Sequence, residues 1–69
     1  MHDEQLQQDI RRFLKTFGVG AQREIEARLR EAAAAGQLDP ARPVRVRARL
    51  EVLGHEFVVE EELRAGGAG

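Results

Sequence analysis

Few side chains in this sequence could carry a reaction. The chain has 69 residues and no Cys, Ser or Tyr, so Thr16 is its only hydroxyl and Lys15 its only lysine. Nucleophilic catalysis needs a hydroxyl, thiol or amine beside a base, and the only bases here are carboxylates, His2 and His55. So short a chain is also too small to enclose a pocket of several hundred Å³. We therefore predict that the protein is not an enzyme and has no catalytic residue.

No metal or cofactor site is predicted either. Cysteines are absent, and His55 has no companions at the spacing that metal ligands need. A cysteine-free chain suits a reducing compartment. The chain begins with an acidic, polar segment, and no apolar run approaches the roughly 20 residues that span a bilayer. We expect a cytoplasmic protein that does not enter a membrane.

The first half of the chain shows helical periodicity. Apolar residues recur three or four positions apart between Leu6 and Phe17, and Asp3 is a suitable N-cap, which predicts a helix over about 3–17. Gly18-Val19-Gly20 predicts a break, with Gly18 in the left-handed conformation at a C-cap. A second helix is predicted over about 20–36, ended by Gly36 as a C′ residue.

The second half alternates with a period of two. From Val44 to Val52 apolar residues alternate with charged ones, and prolines at 40 and 43 precede this change. Gly54-His55 suits a type II′ turn, which predicts strands over about 44–52 and 57–64. Residue numbers of cross-strand partners then add to 109. Val52 would face Phe57, and two ion pairs would form, Arg47 with Glu62 and Arg49 with Glu60.

Glu61 does not fit this pattern. The predicted register points it inward, opposite Ala48. Two alternatives remain open: a β-bulge returns Glu61 to solvent, or its side chain reaches water at the edge of the sheet.

These elements predict an α+β domain over residues 1–64 in the order α-α-β-β, with both helices covering one face of the hairpin. The glycine-rich tail, 65–69, is predicted to be disordered. Charged residues on both strands protect the sheet edges, so a monomer is slightly favoured over a homodimer.

One stretch of the sequence resembles a known family. Phe13-Leu14-Lys15-x-x-Gly18-Val19-x-x-Gln22-Arg23-Glu24-Ile25-Glu26 is similar to the signature of a small bacterial family of uncharacterised proteins of about 65 to 75 residues. The resemblance spans residues 5 to about 64. It supports the fold and implies no activity, substrate or catalytic residue.

A broader similarity links the Gly-Val turn and the following Gln-Arg-Glu-Ile segment to helix-turn-helix proteins, with the hairpin as a wing. That analogy implies DNA binding, with Gln22 and Arg23 at base edges and Arg12 on phosphate. A net charge of −1 and three glutamates on the second helix weigh against it. The sequence therefore predicts a small domain that binds another protein, with DNA binding as the alternative.

Overall fold

The computed structural model describes residues 3–64, which form one helix followed by a two-stranded antiparallel hairpin. The helix α1 spans Glu4–Ala34, strand β1 spans Val44–Val52 and strand β2 spans His55–Leu63. The predicted α+β class is therefore right, whereas the predicted pair of helices is wrong. The tail predicted at 65–69 lies outside the described residues.

Both ends of α1 carry the caps that the sequence predicts. Asp3 Oδ1 accepts hydrogen bonds from the backbone N–H groups of Gln5 and Leu6 at 2.9 and 3.2 Å. At the other end Gly36 has a φ of 72°, and the Gln37 N–H donates to the Ala32 carbonyl at 2.8 Å. This arrangement is a Schellman motif, which satisfies carbonyls that the helix leaves unpaired.

The break predicted at Gly18-Val19-Gly20 does not occur, so the helices predicted at 3–17 and 20–36 form a single helix. Neither glycine has a positive φ. Each costs a helix about 1 kcal/mol relative to alanine, which is too little to end a helix that is well formed on both sides. The apolar side chains also keep a four-residue spacing across the segment, at Phe17, Ala21, Ile25 and Leu29.

The hairpin turn lies one residue before its predicted position. Its two central residues are Leu53 and Gly54, with φ values of 49° and 82°. Positive φ at both positions defines a type I′ turn, whose twist matches that of the flanking strands. The predicted type II′ turn centred on Gly54-His55 is therefore wrong.

The shifted turn displaces the strand register by two residues. Val52 pairs with His55, where the sequence predicted Phe57, and Val44 pairs with Leu63. Because side chains alternate between faces with a period of two, this displacement leaves every residue on its predicted face. It changes only the partners across the sheet.

Glu61 pairs with Val46 within nine consecutive residue pairs, which leave no bulge. Its side chain is exposed. Of the two alternatives, the structure therefore selects the one in which Glu61 reaches solvent beside a two-stranded sheet.

α1 lies along the hairpin and runs antiparallel to β1. Ile10 and Leu14 line a groove with Leu50 and Val52 near the end of β1. Further along, α1 residues 25 and 29 line a groove with residues 44 and 46 at the start of β1. The molecule is elongated, with extents of 49 × 21 × 21 Å.

The helix does not seal a core against the sheet. Among residues 3–64 no side chain is buried, whether apolar or polar. The sequence predicts that the helices cover the apolar face of the hairpin, but within residues 3–64 the side chains between α1 and the hairpin remain partly exposed.

Candidate protein-binding face

The first half of α1 presents one side lined by large apolar side chains. Ile10, Phe13, Leu14 and Phe17 lie on this side because their spacing matches the 3.6-residue helical turn. The rings of Phe13 and Phe17 are stacked, with centroids 6.4 Å apart and planes 11° apart. This stacking holds the two rings as one apolar surface.

The hairpin contributes a second set of apolar side chains from the face that points toward α1. Leu50 and Phe57 are direct cross-strand partners in this set, and Val59 pairs with Ala48. A groove of about 170 Å³ separates these residues from Phe13 and Phe17. We call the combined surface the apolar face; its members are Ile10, Phe13, Leu14, Phe17, Leu50, Val52, Phe57 and Val59.

The apolar face is open to solvent. Its members are between 37% exposed, for Leu50, and 61% exposed, for Phe57. Soluble monomers rarely leave contiguous apolar patches larger than a few hundred Å² in water, and larger patches mark sites of interaction. Eight large side chains at about half exposure reach roughly that size. This face is therefore the candidate functional site.

The opposite face of the hairpin is charged and internally neutralised. Arg47 Nε lies 2.8 Å from Glu60 Oε2, its direct cross-strand partner. Arg49 Nε lies 2.9 Å from Glu56 Oε2 across a diagonal. Arg45 and Glu62 approach to 4.0 Å. The opposite-charge ladder expected from the sequence exists, but its predicted partners were wrong because the register was displaced.

Charged side chains also form ion pairs on the second half of α1. Arg28 lies 2.7 Å from Glu24 and 3.0 Å from Glu31. The hydrogen bond that Arg28 donates to Glu24 and the charge of Glu31 raise the pKa of the Arg28 guanidinium. Arg28 also lines the groove that contains Val44 and Val46, where its charge is paired with those of Glu24 and Glu31.

The three residues predicted for DNA contact lie on one continuous helix. Arg12 and Arg23 are eleven residues apart, which places them on the same side about 16 Å from each other along the axis. Gln22 projects about 80 to 100° away from both. Arg12 forms an ion pair with Asp9, and Gln22 Nε2 donates to Glu26 Oε2 at 3.2 Å.

The arrangement differs from the helix-turn-helix analogy in two respects. α1 has no turn that would separate a supporting helix from a recognition helix. Arg12 and Arg23 project from the side of α1 away from the hairpin, whereas Arg45, Arg47 and Arg49 lie on the face of the hairpin away from α1. The structure therefore does not join the two sets of arginines into one positive face.

The groups that could carry chemistry are also scattered. Lys15 and Thr16 line a shallow groove with Val19 and Arg23 on the side of α1 away from the hairpin. His55 is exposed beside the hairpin turn. Within residues 3–64, no three His, Asp or Glu side chains lie close enough together to hold a metal ion.

Comparison with known families gives a match that covers most of the chain. The model of a family of unknown function, DUF6494, covers residues 1–66. The chain belongs to DUF6494. This confirms the resemblance to a small uncharacterised family that the sequence motif indicated. Comparisons with curated proteins and with solved structures found no significant match.

Within residues 3–64 of this DUF6494 member, no helix is both long enough and apolar enough to cross a bilayer.

Sequence reasoning found the members of the apolar face but assigned them a different role. Their periodicity predicts which side of each element they occupy, and it led us to expect that the helices cover this face of the hairpin. Periodicity does not report whether enough other chain is present to cover that side. Comparing the number of apolar side chains with the number of helices and strands available to cover them could have indicated that this face stays exposed.

Proposed function

We propose that this DUF6494 member is a non-enzymatic protein interaction module that binds a protein partner through its apolar face. The observation that carries this proposal is the exposure of eight large apolar side chains at the position where a folded domain has its core. Cytoplasmic location remains part of the proposal.

Hydrophobic burial supplies the driving force. Removing apolar surface from water contributes about 25 cal/mol per Å², so covering several hundred Å² would support stable association. The face contains the rings of Phe13, Phe17 and Phe57, and aromatic side chains are enriched in the centres of protein interfaces. Charged residues such as Asp9 and Glu51 border it, as in the polar rim of an interface.

The charge distribution favours a protein over a nucleic acid. DNA affinity depends on cations that are free to neutralise phosphates. Here the net charge is −1, and Arg45, Arg47 and Arg49 are paired with glutamates. DNA binding through Arg12, Gln22 and Arg23 therefore has no specific support.

Photo-cross-linking at two adjacent residues tests the proposal. Phe57 and Val58 are neighbours on β2, but Phe57 belongs to the apolar face and Val58 to the charged face. Each position is replaced in turn by a photoreactive phenylalanine derivative in the full chain, which is irradiated in the cells that produce it. Adducts with a second polypeptide, of the same or a different kind, are separated by gel and identified by mass spectrometry.

We expect a discrete adduct from position 57 and none, or at least tenfold less, from position 58. Val58 is the matched control because it is on the same strand and is 42% exposed. Equal yields from the two positions, or no polypeptide adduct from either, would overturn the proposal.

A further inference from the structure

We propose that the partner of the apolar face is a second copy of this chain, which completes a shared core. This inference rests on the proposed function and names the partner for the same face. Two observations support it, concerning surface area and the means of stabilisation.

The solvent-exposed area of the chain is larger than that of a compact folded monomer of the same mass. The chain exposes 6372 Å², whereas a compact folded monomer of 7.7 kDa exposes about 4,300 Å². Its radius of gyration is 16.0 Å, compared with about 11 Å for a compact domain of this length. The excess is about 2,000 Å² per chain. Stable homodimers bury about 2,000 Å² or more in total, so two copies carry enough surplus surface for such an interface.

The chain has few other means of stabilisation. A domain below about 70 residues usually needs disulfides, a metal ion or association with another chain. This chain has no cysteine, and no group of metal-ligating side chains exists within residues 3–64. No apolar side chain is buried there to supply a core. Association of identical chains provides a core wherever the protein is made, without requiring a second gene product.

Sedimentation equilibrium of the purified full chain tests this inference with two matched variants. Phe17 and Val19 are 49% and 46% exposed on the same helix, but they project about 160° apart. Phe17→Asp places a charge in the apolar face, and Val19→Asp places the same charge on the far side of α1. The dissociation constants are measured over a protein concentration range of about a thousandfold.

We expect two chains per particle for the wild type and for Val19→Asp, and at least a hundredfold weaker association for Phe17→Asp. A wild-type particle of one chain, or of more than two, would overturn the inference. Dimers of equal strength in both variants would also overturn it, because the second copy would then sit elsewhere.

Thermal unfolding of the wild type keeps the test decisive if Phe17→Asp fails to fold. A dimer has a Tm that rises with protein concentration, whereas a folded monomer has a constant Tm. A constant Tm would overturn the inference. If position 57 nevertheless cross-links a different protein, the proposed function stands and only the identity of the partner is wrong. If position 57 cross-links nothing, both fail.

Discussion

Leu53 occupies an unusual backbone conformation for its type. Its φ of 49° lies in the left-handed region, where a side chain with a Cβ is crowded by the following carbonyl. Its side chain is 94% exposed, so no tertiary contact offsets that crowding. Asparagine followed by glycine is the preferred pair for a type I′ turn, and Gly54 already provides the second residue.

Leu53→Asn should therefore stabilise the protein. We expect the free energy of unfolding in urea to rise by about 0.5 to 1 kcal/mol, because asparagine tolerates the left-handed conformation better than leucine. Leu53→Ala is the control, since it removes the same apolar side chain and keeps the crowded Cβ. An equal gain from both variants, at one protein concentration, would show that the turn conformation is not the cause.

At the scale of elements, α1 contains glycines that its geometry does not require. A Cβ added at Gly18 or Gly20 would meet no atom within 4 Å, and neither residue has a positive φ. Gly36 also has room for a Cβ, but its φ of 72° is strained for any other residue. The same substitution should therefore have opposite effects at the two kinds of position.

Gly20→Ala should raise the free energy of unfolding by about 1 kcal/mol, since alanine has the higher helix propensity. Gly36→Ala should lower it by about 1 kcal/mol or more, because alanine is disfavoured at positive φ. Urea unfolding followed by circular dichroism at 222 nm measures both. Destabilisation by Gly20→Ala would contradict a continuous α1 and would support the helix break that the sequence predicted at Gly18-Val19-Gly20.

The hairpin is an element whose register can be tested through its charges. Arg47 lies opposite Glu60, with Glu62 one position further along the same face. A double-mutant cycle of Arg47→Ala with Glu60→Ala should give a coupling energy of about 0.2 to 1 kcal/mol, which added salt reduces. The cycle of Arg47→Ala with Glu62→Ala is the control and should give a smaller value. The reverse order would support the register predicted from the sequence.

At the scale of the whole molecule, the distribution of charge bears on the alternative function. Positive side chains lie on two separate faces, and those on the hairpin are paired with glutamates. On such a surface the positive and negative charges largely cancel, which leaves little net positive charge to attract a polyanion such as DNA.

The full chain should therefore fail to retard random duplex DNA at low salt, where electrostatic attraction is strongest. A gel shift at micromolar protein measures this. Retardation that weakens steeply with salt, and that the double variant Arg12→Ala with Arg23→Ala abolishes, would replace our proposal with DNA binding.

The sequence correctly predicted features that depend on interactions between residues close together in the chain. Asp3 and Gly36 cap α1 as predicted, because a carboxylate at an N-cap and a glycine at C′ satisfy nearby backbone groups wherever a helix ends. Prediction failed at Gly18-Val19-Gly20, where each glycine costs a helix only about 1 kcal/mol, and at the turn, where types I′ and II′ both suit a two-residue loop. The one-residue error at the turn then displaced every cross-strand pair.

The sequence by itself determined the helix, the two strands and which side of each is apolar, because side-chain periodicity depends only on neighbouring residues. Only the structure showed that α1 is continuous and which register the hairpin adopts, and tertiary structure decided the exposure of the apolar face. Exposure depends on how much chain is available to cover a surface, and in a single copy the one helix and one hairpin of residues 3–64 leave that surface half covered.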